Sequence, residues 1–518
     1  MAAGLVALAV ATPVVLVCAS LARPSVDVWR HLWATQLPEL IANTLALIAG
    51  VGVGVAVLGT GLAWLVTMYR FPGRDAFEWL LILPLAMPTY VIGFVFLAVF
   101  DYTGPVQRAL RAMAGGPVRW FPDVASYGGL VIVMTLVLYP YVYMLARAAF
   151  LEQSASMLEA ARALGVSRRR VVWRVVLPLA RPAIVAGVSL ALMEALADFG
   201  TVAVFNYATF TVAVYRVWFG LFDRHAATEL ASLLVVFTLA LYLAERALRG
   251  RARFDPRGHG GRQVSRVGLT GGRAWAATGV ATLVVGLGFG LPVLRLATWV
   301  PLAAAADSRY PRFLGDTVVL AAVAGMVTVG AALVVAYGVR QSRHPIVAVL
   351  ARVAGMGYAL PGSVIAVGVL ALLAGLDRWL GGLVLIGSLG GLVFAYLVRF
   401  LAVGYQAVEA GLTRITPSMD MAARSLGVAP WGVLRRIHVP LLRRGLLTAT
   451  LLVFVDVMKE MPATLLLRPL GYDTLAVRVW QFTSESLWEA AALPALTIVA
   501  AGIAPVLVLV RSSGRRPD

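Results

Sequence analysis

Charged residues are scarce in this chain. Only 13% of its 518 residues are Asp, Glu, Lys or Arg, whereas 60% are hydrophobic. Soluble domains carry about 25% charged and about 45–50% apolar residues, so this composition excludes an ordinary soluble protein. Apolar runs of about 20 residues, the length that crosses a bilayer, recur along the whole chain. The sequence therefore predicts an all-α polytopic membrane protein.

Cysteine and lysine are almost absent. Cys18 is the single cysteine, which excludes an intramolecular disulfide and a cysteine-based metal cluster. Lys459 is the single lysine, and Glu460 follows it. A phosphate-binding loop needs Gly-x4-Gly-Lys followed by Ser or Thr, so the chain has no nucleotide-binding loop and is not expected to be an enzyme.

Histidine is also rare, and the pattern shows no zinc or catalytic constellation. The five histidines are distributed over different predicted loops, where we interpret them as ordinary loop residues: His31, His225, His259, His344 and His438. The sequence therefore assigns no metal site.

The net charge of +19 is carried almost entirely by arginine, because all except one of the 44 basic residues are Arg. Most of them lie in loops between apolar runs, which is typical of membrane proteins and argues against a nucleic-acid partner. The loops that carry most of them are 70–78, 146–181, 246–273, 340–344, 399–444 and 511–518. Basic loops face the cytoplasm, so both termini are predicted to be cytoplasmic.

Hydropathy and loop breakers predict about twelve spans, six in each half of the chain. Those of the first half are 4–21, 40–67, 79–100, 126–146, 183–205 and 229–248. Those of the second are 276–297, 314–338, 346–374, 383–404, 446–467 and 489–510. The predicted domains are a first half (1–249), a cytoplasmic linker rich in Gly and Arg (250–273) and a second half (274–518).

The two halves repeat one another. Residues 41–66 parallel 314–339 and AMPTYVIG (86–93) parallels ALPGSVIA (359–366), both at an offset of 273, whereas later segments match at 262. Each half has an even number of spans, so both enter the membrane in the same orientation. The architecture is therefore two parallel six-helix repeats around an axis along the membrane normal.

A polar segment between the fourth and fifth spans also occurs twice. EAARALGVSRRRVVWRVVLP (159–178) and MAARSLGVAPWGVLRRIHVP (421–440) agree at 9 of 20 positions. Each copy predicts a short helix with a small-residue face, a glycine stop in the left-handed conformation, and a second amphipathic helix that a proline closes before the next span. An interfacial helix in the headgroups would explain one copy, but not the same spacing in both halves.

The repeated segment resembles the signature loop of permease subunits of bacterial ABC importers. This resemblance covers essentially the whole chain as two fused permeases, and it implies the type I ABC importer permease fold. In that family the loop is a coupling helix that sits in a groove on a separate ATP-binding subunit. The corresponding residues here are Glu159, Ala160, Ala161, Gly165 and Pro178 in loop 151–181, and Met421, Ala422, Ala423, Gly427 and Pro440 in loop 413–444.

The resemblance also implies partners. These are two copies of an ABC ATPase subunit, which use ATP and Mg, an extracytoplasmic substrate-binding protein, and the lipid bilayer of the bacterial cytoplasmic (inner) membrane. No cofactor is expected on this chain. The second copy departs from the signature, because Met421 stands where Glu159 does and the nearby acid, Asp420, comes one position earlier.

Ionisable residues inside spans are the second feature that bears on function. Each costs about 2.5–3.5 kcal/mol at the bilayer centre and therefore tends to face a cavity or a partner. The candidates for a translocation pathway are Glu194, Asp198, Asp456, Lys459 and Glu460, with both acids of the first half matching acids of the second at the offset of 262. The alternative is a structural ion pair of Lys459 with Asp456 or Glu460.

The segment 456–480 bears on the substrate, since it resembles the second half of fused iron(III) permeases. Ferric ion is the expected substrate, and thiamine and polyamine permeases are the alternatives. A different class, a secondary transporter that needs no ATPase, would not explain the repeated loop.

Overall fold

The computed structural model describes residues 2–20, 26–152, 168–220, 224–249, 266–303, 308–342, 360–382, 384–413 and 415–514, together with 351, 354 and 357. The helices of the first half are α1 (Ala2–Ser20), α2 (Val26–Thr35), α3 (Leu37–Met68), α4 (Arg74–Leu80), α5 (Thr89–Phe100), α6 (Pro105–Ala114), α7 (Tyr127–Glu152), α8 (Arg168–Val171), α9 (Leu177–Ala197), α10 (Gly200–Val204), α11 (Phe210–Gly220) and α12 (Arg224–Arg249). A 3-10 helix, Leu83–Ala86, precedes α5.

The helices of the second half are α13 (Gly271–Val285), α14 (Leu291–Ala303), α15 (Tyr310–Gln341), α16 (Gly362–Leu380), α17 (Leu389–Leu412), α18 (Pro417–Ser425), α19 (Pro430–Val433), α20 (Val439–Lys459), α21 (Pro462–Leu467), α22 (Leu475–Ser484) and α23 (Ala492–Gly514). Strands β1 (Tyr69–Arg70) and β2 (Val267–Gly268) pair in parallel. Residues 266–273 of the predicted linker thus form β2 and the start of α13, and 250–265 lie outside the described residues.

Among the described residues, ten helical segments are long and apolar enough to span a membrane, and they correspond to the first ten predicted spans. The predicted eleventh span corresponds to α20 and α21, and the twelfth to α23, whose segment Ala492–Leu507 is a shorter apolar helix. Helix α3 shows the lipid-facing character of these segments, because Leu45, Val53 and Val57 on its surface are 51–70% exposed. The fold is therefore the predicted all-α polytopic type.

Three predicted spans are interrupted where the sequence pattern shows one apolar run. The span predicted at 79–100 consists of the end of α4, the 3-10 helix and α5. Those predicted at 183–205 and 446–467 break at Asp198 and Glu460, because each carboxylate accepts hydrogen bonds from the first turn of the helix that follows. Hydropathy does not register such a break.

Proline produces a second departure from the predicted helices. Pro178 and Pro440 do not close the repeated segment, since each lies in the first turn of a span, α9 or α20. Each span continues from a π-helical turn, Val172–Val176 or Leu434–His438. A proline cannot donate to the carbonyl four residues earlier and its ring crowds that group, so a local widening of the helix keeps the chain helical.

The first span of each half packs against helices of the opposite half. Helix α1 packs against α15 and α16 of the second half, and α14 packs against α5 of the first half as well as against α23. A Cβ on Gly368 would lie 2.5 Å from the carbonyl oxygen of Pro13, so this glycine permits the close approach of α1 to α16. The halves are therefore held together by exchanged helices as well as by the surfaces around the axis.

Candidate functional site

A cavity of about 140 Å³ lies between the two halves, and all five predicted pathway residues line it. They come from α9 and the break after it in the first half, and from α20 and the break after it in the second. Sequence spacing predicts that the acids of each half lie on one helix, but only the packing brings the two helices to one cavity. The lining includes Glu194, Asp198, Asp456, Lys459, Glu460, Arg399, Tyr90, Tyr141, Phe199 and Met461.

Asp198 is buried at the break between α9 and α10, and it accepts hydrogen bonds from neutral groups. Its Oδ1 accepts hydrogen bonds from the backbone N–H groups of Thr201 (2.9 Å) and Val202 (3.1 Å). Its Oδ2 accepts from the hydroxyls of Thr89 (2.5 Å) and Thr201 (2.9 Å). Asp198 therefore caps α10 and joins it to the start of α5, a structural role in addition to lining the cavity.

Glu460 occupies the matching break in the second half and has a different partner. Its Oε1 accepts from the N–H of Ala463 (2.9 Å), as a helix cap does, whereas its Oε2 lies 3.1 Å from Nε of Arg399. Both side chains are almost completely buried, and the ion pair offsets part of the cost of burying each charge.

Arg399 is the cavity residue that sequence reasoning missed, since we assigned it to the cytoplasmic loop 399–444. It lies within α17, inside the apolar run LVRFLAVG. A basic residue inside such a run is the signal that could have located it. At the offset of 262 its counterpart is Val137, and at the offset of 273 the counterpart of Thr89 is Gly362. A Cβ on Gly362 would collide with Arg399 and Glu460, so the glycine makes room for this pair.

The remaining pair is on α20, where Nζ of Lys459 lies 3.4 Å from Oδ1 of Asp456. Of the two ion pairs predicted for Lys459, the structure therefore has the one with Asp456. Glu460 pairs with Arg399 instead. Four acids and two bases line the cavity, and both bases belong to the second half. The matching positions of the first half are Val137 and Ala197, so the excess negative charge is on the first-half side.

The two halves make contact beside this cavity. A Cβ on Gly200 would lie 2.6 Å from Cβ of Tyr90 and 2.7 Å from Cε of Met461, so only glycine fits between them. The rings of Phe199 and Trp480 also meet across the axis, with centroids 5.0 Å apart. The wall between the halves is thus closely packed on this side of the cavity.

No group of three or more His, Cys, Asp or Glu side chains that could hold a metal ion occurs within the described ranges. The four acids that line the cavity therefore do not form such a group.

The second coupling loop is described in full apart from Arg414 and the side chain of Pro417. Gly427 follows α18 in the left-handed conformation, with φ +75°, as the glycine stop predicts. The two alanines do not form one face, because Ala422 is exposed and Ala423 is buried. The exposed apolar surface comes instead from Met421 (63% exposed) and Leu426 (82%).

The first coupling loop lies largely outside the part of the chain that the structure describes. Glu159, Ala160, Ala161 and Gly165 belong to the undescribed segment 153–167, so the roles that the resemblance gives them stay predictions. Pro178 is described and is exposed in the first turn of α9.

His438 differs from its predicted state as an ordinary loop histidine. It is completely buried at the end of the π-helical turn before α20. Its Nε2 lies 2.6 Å from Oδ1 of Asp420. The acid that precedes Met421 is therefore turned into the protein.

Comparisons with known proteins agree with this arrangement. Residues 55–253 match the family model of the binding-protein-dependent transport system inner membrane component. The Fe(3+)-transport system permease protein FbpB 2 of Haemophilus influenzae is 27% identical over 92% of this chain and 90% of its own length. The sulfate transport system permease protein CysT of Escherichia coli is 31% identical over 43% of this chain and 82% of its own length.

A crystal structure of a bacterial ABC transporter involved in the import of the acidic polysaccharide alginate also aligns, over 46% of this chain and 88% of the matched chain. Its TM-score of 0.38 and identity of 18% are too low to carry weight. The family match and the sequence relatives are sufficient: the chain belongs to the inner-membrane components of binding-protein-dependent transport systems, the permease subunits of ABC importers.

Proposed function

We propose that this permease carries ferric iron across the cytoplasmic membrane. The observation that carries the proposal is the similarity to an Fe(3+)-transport permease along almost the full length of both chains. The cavity supports it, because four acids against two bases favour a cation over an anion. The same charge excess argues against sulfate, which the name of the shorter relative suggests.

Transport would proceed by alternating access, driven by separate ATPase subunits. Permeases of this family work with an ATPase and a substrate-binding protein, and the repeated loop supports one ATPase subunit on each half, two in all. ATP and Mg would be used by those subunits, with no cofactor or enzymatic activity on this chain. The basic loops support cytoplasmic termini.

The deciding experiment measures uptake by the complex reconstituted with its ATPase and binding protein. Radiolabelled ferric ion should enter, and thiamine or a polyamine should not. Uptake of thiamine or a polyamine in place of iron would reassign the substrate. Uptake driven by a proton gradient without the ATPase would overturn the importer assignment and favour a secondary transporter.

The cavity makes a narrower prediction about Glu194. Glu194→Gln removes one of the two acids on the first-half side, so iron uptake should fall about tenfold, the effect of roughly 1.4 kcal/mol on the barrier. The matched control is Asp27→Asn, whose carboxylate is 96% exposed and outside the cavity. Equal uptake by both variants would remove Glu194 from the pathway.

A further inference from the structure

The strongest feature that the proposed function does not use is the set of contacts around Asp420. This residue precedes Met421 in the second coupling loop, yet only 8% of its surface is exposed. Its Oδ2 accepts a hydrogen bond from Nε of Arg340 (3.1 Å), and its Oδ1 lies 2.6 Å from Nε2 of His438. The carboxylate therefore joins α18 to two other parts of the second half.

Arg340 connects this carboxylate to the end of α17. Its two terminal nitrogens donate to the carbonyl oxygens of Leu412 (2.6 Å) and Ile415 (2.9 Å). Leu412 is the last residue of α17, so its carbonyl has no partner within the helix and a cation there also complements the helix dipole. The fork of the guanidinium thus holds the end of α15, the end of α17 and α18 at one point.

His438 connects the same carboxylate to α20. It ends the π-helical turn from which α20 continues without a break for 21 residues, about 30 Å. The far end of α20 carries Asp456 and Lys459 into the cavity. A displacement of α18 at the cytoplasmic surface would therefore reach the cavity through a single rigid helix.

Tyr337, one turn before Arg340 on α15, strengthens this connection. Its hydroxyl donates to the carbonyl oxygen of Pro430 (2.8 Å), and its ring meets that of His438 edge-on at 5.2 Å. The segment between α18 and α20 is consequently tied to α15 at both ends.

The repeat shows that this arrangement is particular to the second half. At the offsets of 273 and 262, the counterparts of Arg340, Asp420 and His438 are Thr67, Leu158 and Val176, none of which carries a charge. The first half instead has Glu159 at the signature position, where the second has Met421. The half without the signature acid is thus the half with the buried acid and its two partners.

We propose that Arg340, Asp420 and His438 form an internal latch, which transmits movement of the second coupling helix to α20 and replaces the signature acid on that side. Asp420 is a positioning residue in this arrangement and does not contact the ATPase. The inference rests on the proposed function, because it needs an ATPase that moves the loop.

The test uses Asp420→Asn in the full complex, with Asp27→Asn as the control, because it makes the same change at a side chain that is 96% exposed and outside the coupling loop. The asparagine keeps the shape of the side chain and removes its charge. The ATPase subunit should still co-purify with the variant, and ATP hydrolysed per ion transported should rise about tenfold, within the usual range of coupling between sites. Asp27→Asn should leave this ratio unchanged.

A second pair of variants separates a latch from a general loss of structure. Arg340→Lys keeps the positive charge but replaces the planar fork, whose three nitrogens each reach a different acceptor, with a single ammonium nitrogen, so it should raise the same ratio. The double variant Asp420→Asn/Arg340→Lys should raise the ratio no further than either single variant does, because the two residues act as a unit. If Asp420→Asn does not reach the membrane, Arg340→Lys alone still tests the latch, and an unchanged ratio in that variant would overturn it.

Three results would overturn the latch. They are a normal ratio in both single variants, additive effects in the double variant, or loss of ATPase co-purification with Asp420→Asn but not with Asp27→Asn. The last result would make Asp420 a docking contact. Failure of the proposed function looks different, since the unaltered complex would then transport no iron or would transport it without the ATPase.

Discussion

Gly427 has a backbone conformation that other residues adopt only with strain. Its φ is +75°, and a Cβ there would meet no atom within 4 Å, so the obstacle to substitution is conformational and not steric crowding. A left-handed residue with a Cβ costs about 1–2 kcal/mol. The glycine therefore fixes the path by which the chain leaves α18, close to the surface that the ATPase would contact.

Gly427→Val should leave membrane insertion intact but uncouple ATP hydrolysis from uptake, because α18 is reoriented. Gly165→Val should do the same in the first half. The matched control is Gly445→Val, since Gly445 is exposed on α20 and also has no neighbour within 4 Å of a Cβ. Normal coupled transport by Gly427→Val would remove the conformational role of this glycine.

Asp198 makes a prediction about stability. Asp198→Ala removes the cap of α10 and leaves the buried hydroxyl of Thr201 and the half-buried hydroxyl of Thr89 without this acceptor. The variant should lose about 2 kcal/mol or more of unfolding free energy, at the upper end for a helix cap. Thermal unfolding in detergent measures the loss, with the exposed Asp27→Ala as control. Equal stability of both variants would contradict the capping role.

At the scale of helices, the breaks after α9 and α20 organise the cavity. In both halves a carboxylate caps the short helix beyond the break, but a threonine supports it in the first half and an arginine in the second. Gly362, at the start of α16, leaves the space that the arginine occupies. The difference in charge between the two walls therefore depends on Lys459 and on Arg399, for which Gly362 leaves room.

Gly362→Ala tests this relation. Its methyl group would displace the guanidinium of Arg399 from Glu460, and breaking a buried pair costs about 3–5 kcal/mol. The control is Gly375→Ala on the same helix, where nothing lies within 4 Å and alanine should stabilise α16 by up to about 1 kcal/mol. Unfolding measurements on both variants compare them, and equal stability would show that the pair does not depend on Gly362.

At the scale of the whole molecule, the protein is a repeat with unequal halves. The first half carries the signature acid and the excess negative charge of the cavity, whereas the second carries the cavity bases and the Arg340, Asp420 and His438 cluster. The crossing of α1 and α14 into the opposite halves means that neither half packs as an independent unit. Differences at one loop can consequently affect the whole cavity.

Because the two halves differ, we expect substitutions at the two signature positions to have unequal effects on transport. Glu159→Ala should reduce coupled uptake more than Met421→Ala, because it removes a charge from the signature position, whereas Met421→Ala removes only exposed apolar surface. Uptake and ATP hydrolysis by the two reconstituted variants provide the measurement. Equal effects would show that the replacement of the acid at 421 is immaterial.

The repeat and the residue types made much of the architecture predictable. Apolar runs of spanning length predict the membrane helices, and the offsets of 273 and 262 predict parallel halves, because hydropathy and internal similarity are properties of the chain alone. The left-handed conformation of Gly427 after α18 was also predictable, because glycine locally favours this conformation at the end of a helix.

Only the tertiary structure decided which charges meet. Arg399 is far from Glu460 in sequence, Asp420 turns inward towards Arg340 and His438, and the acids of α9 and α20 reach one cavity only when the halves pack. Hydropathy assigns a residue to a span but not to a partner, because the cost of a buried charge depends on what the fold places beside it. The sequence by itself therefore determined the membrane helices and their repeat, whereas long-range packing decided the charge pairs and the difference between the halves.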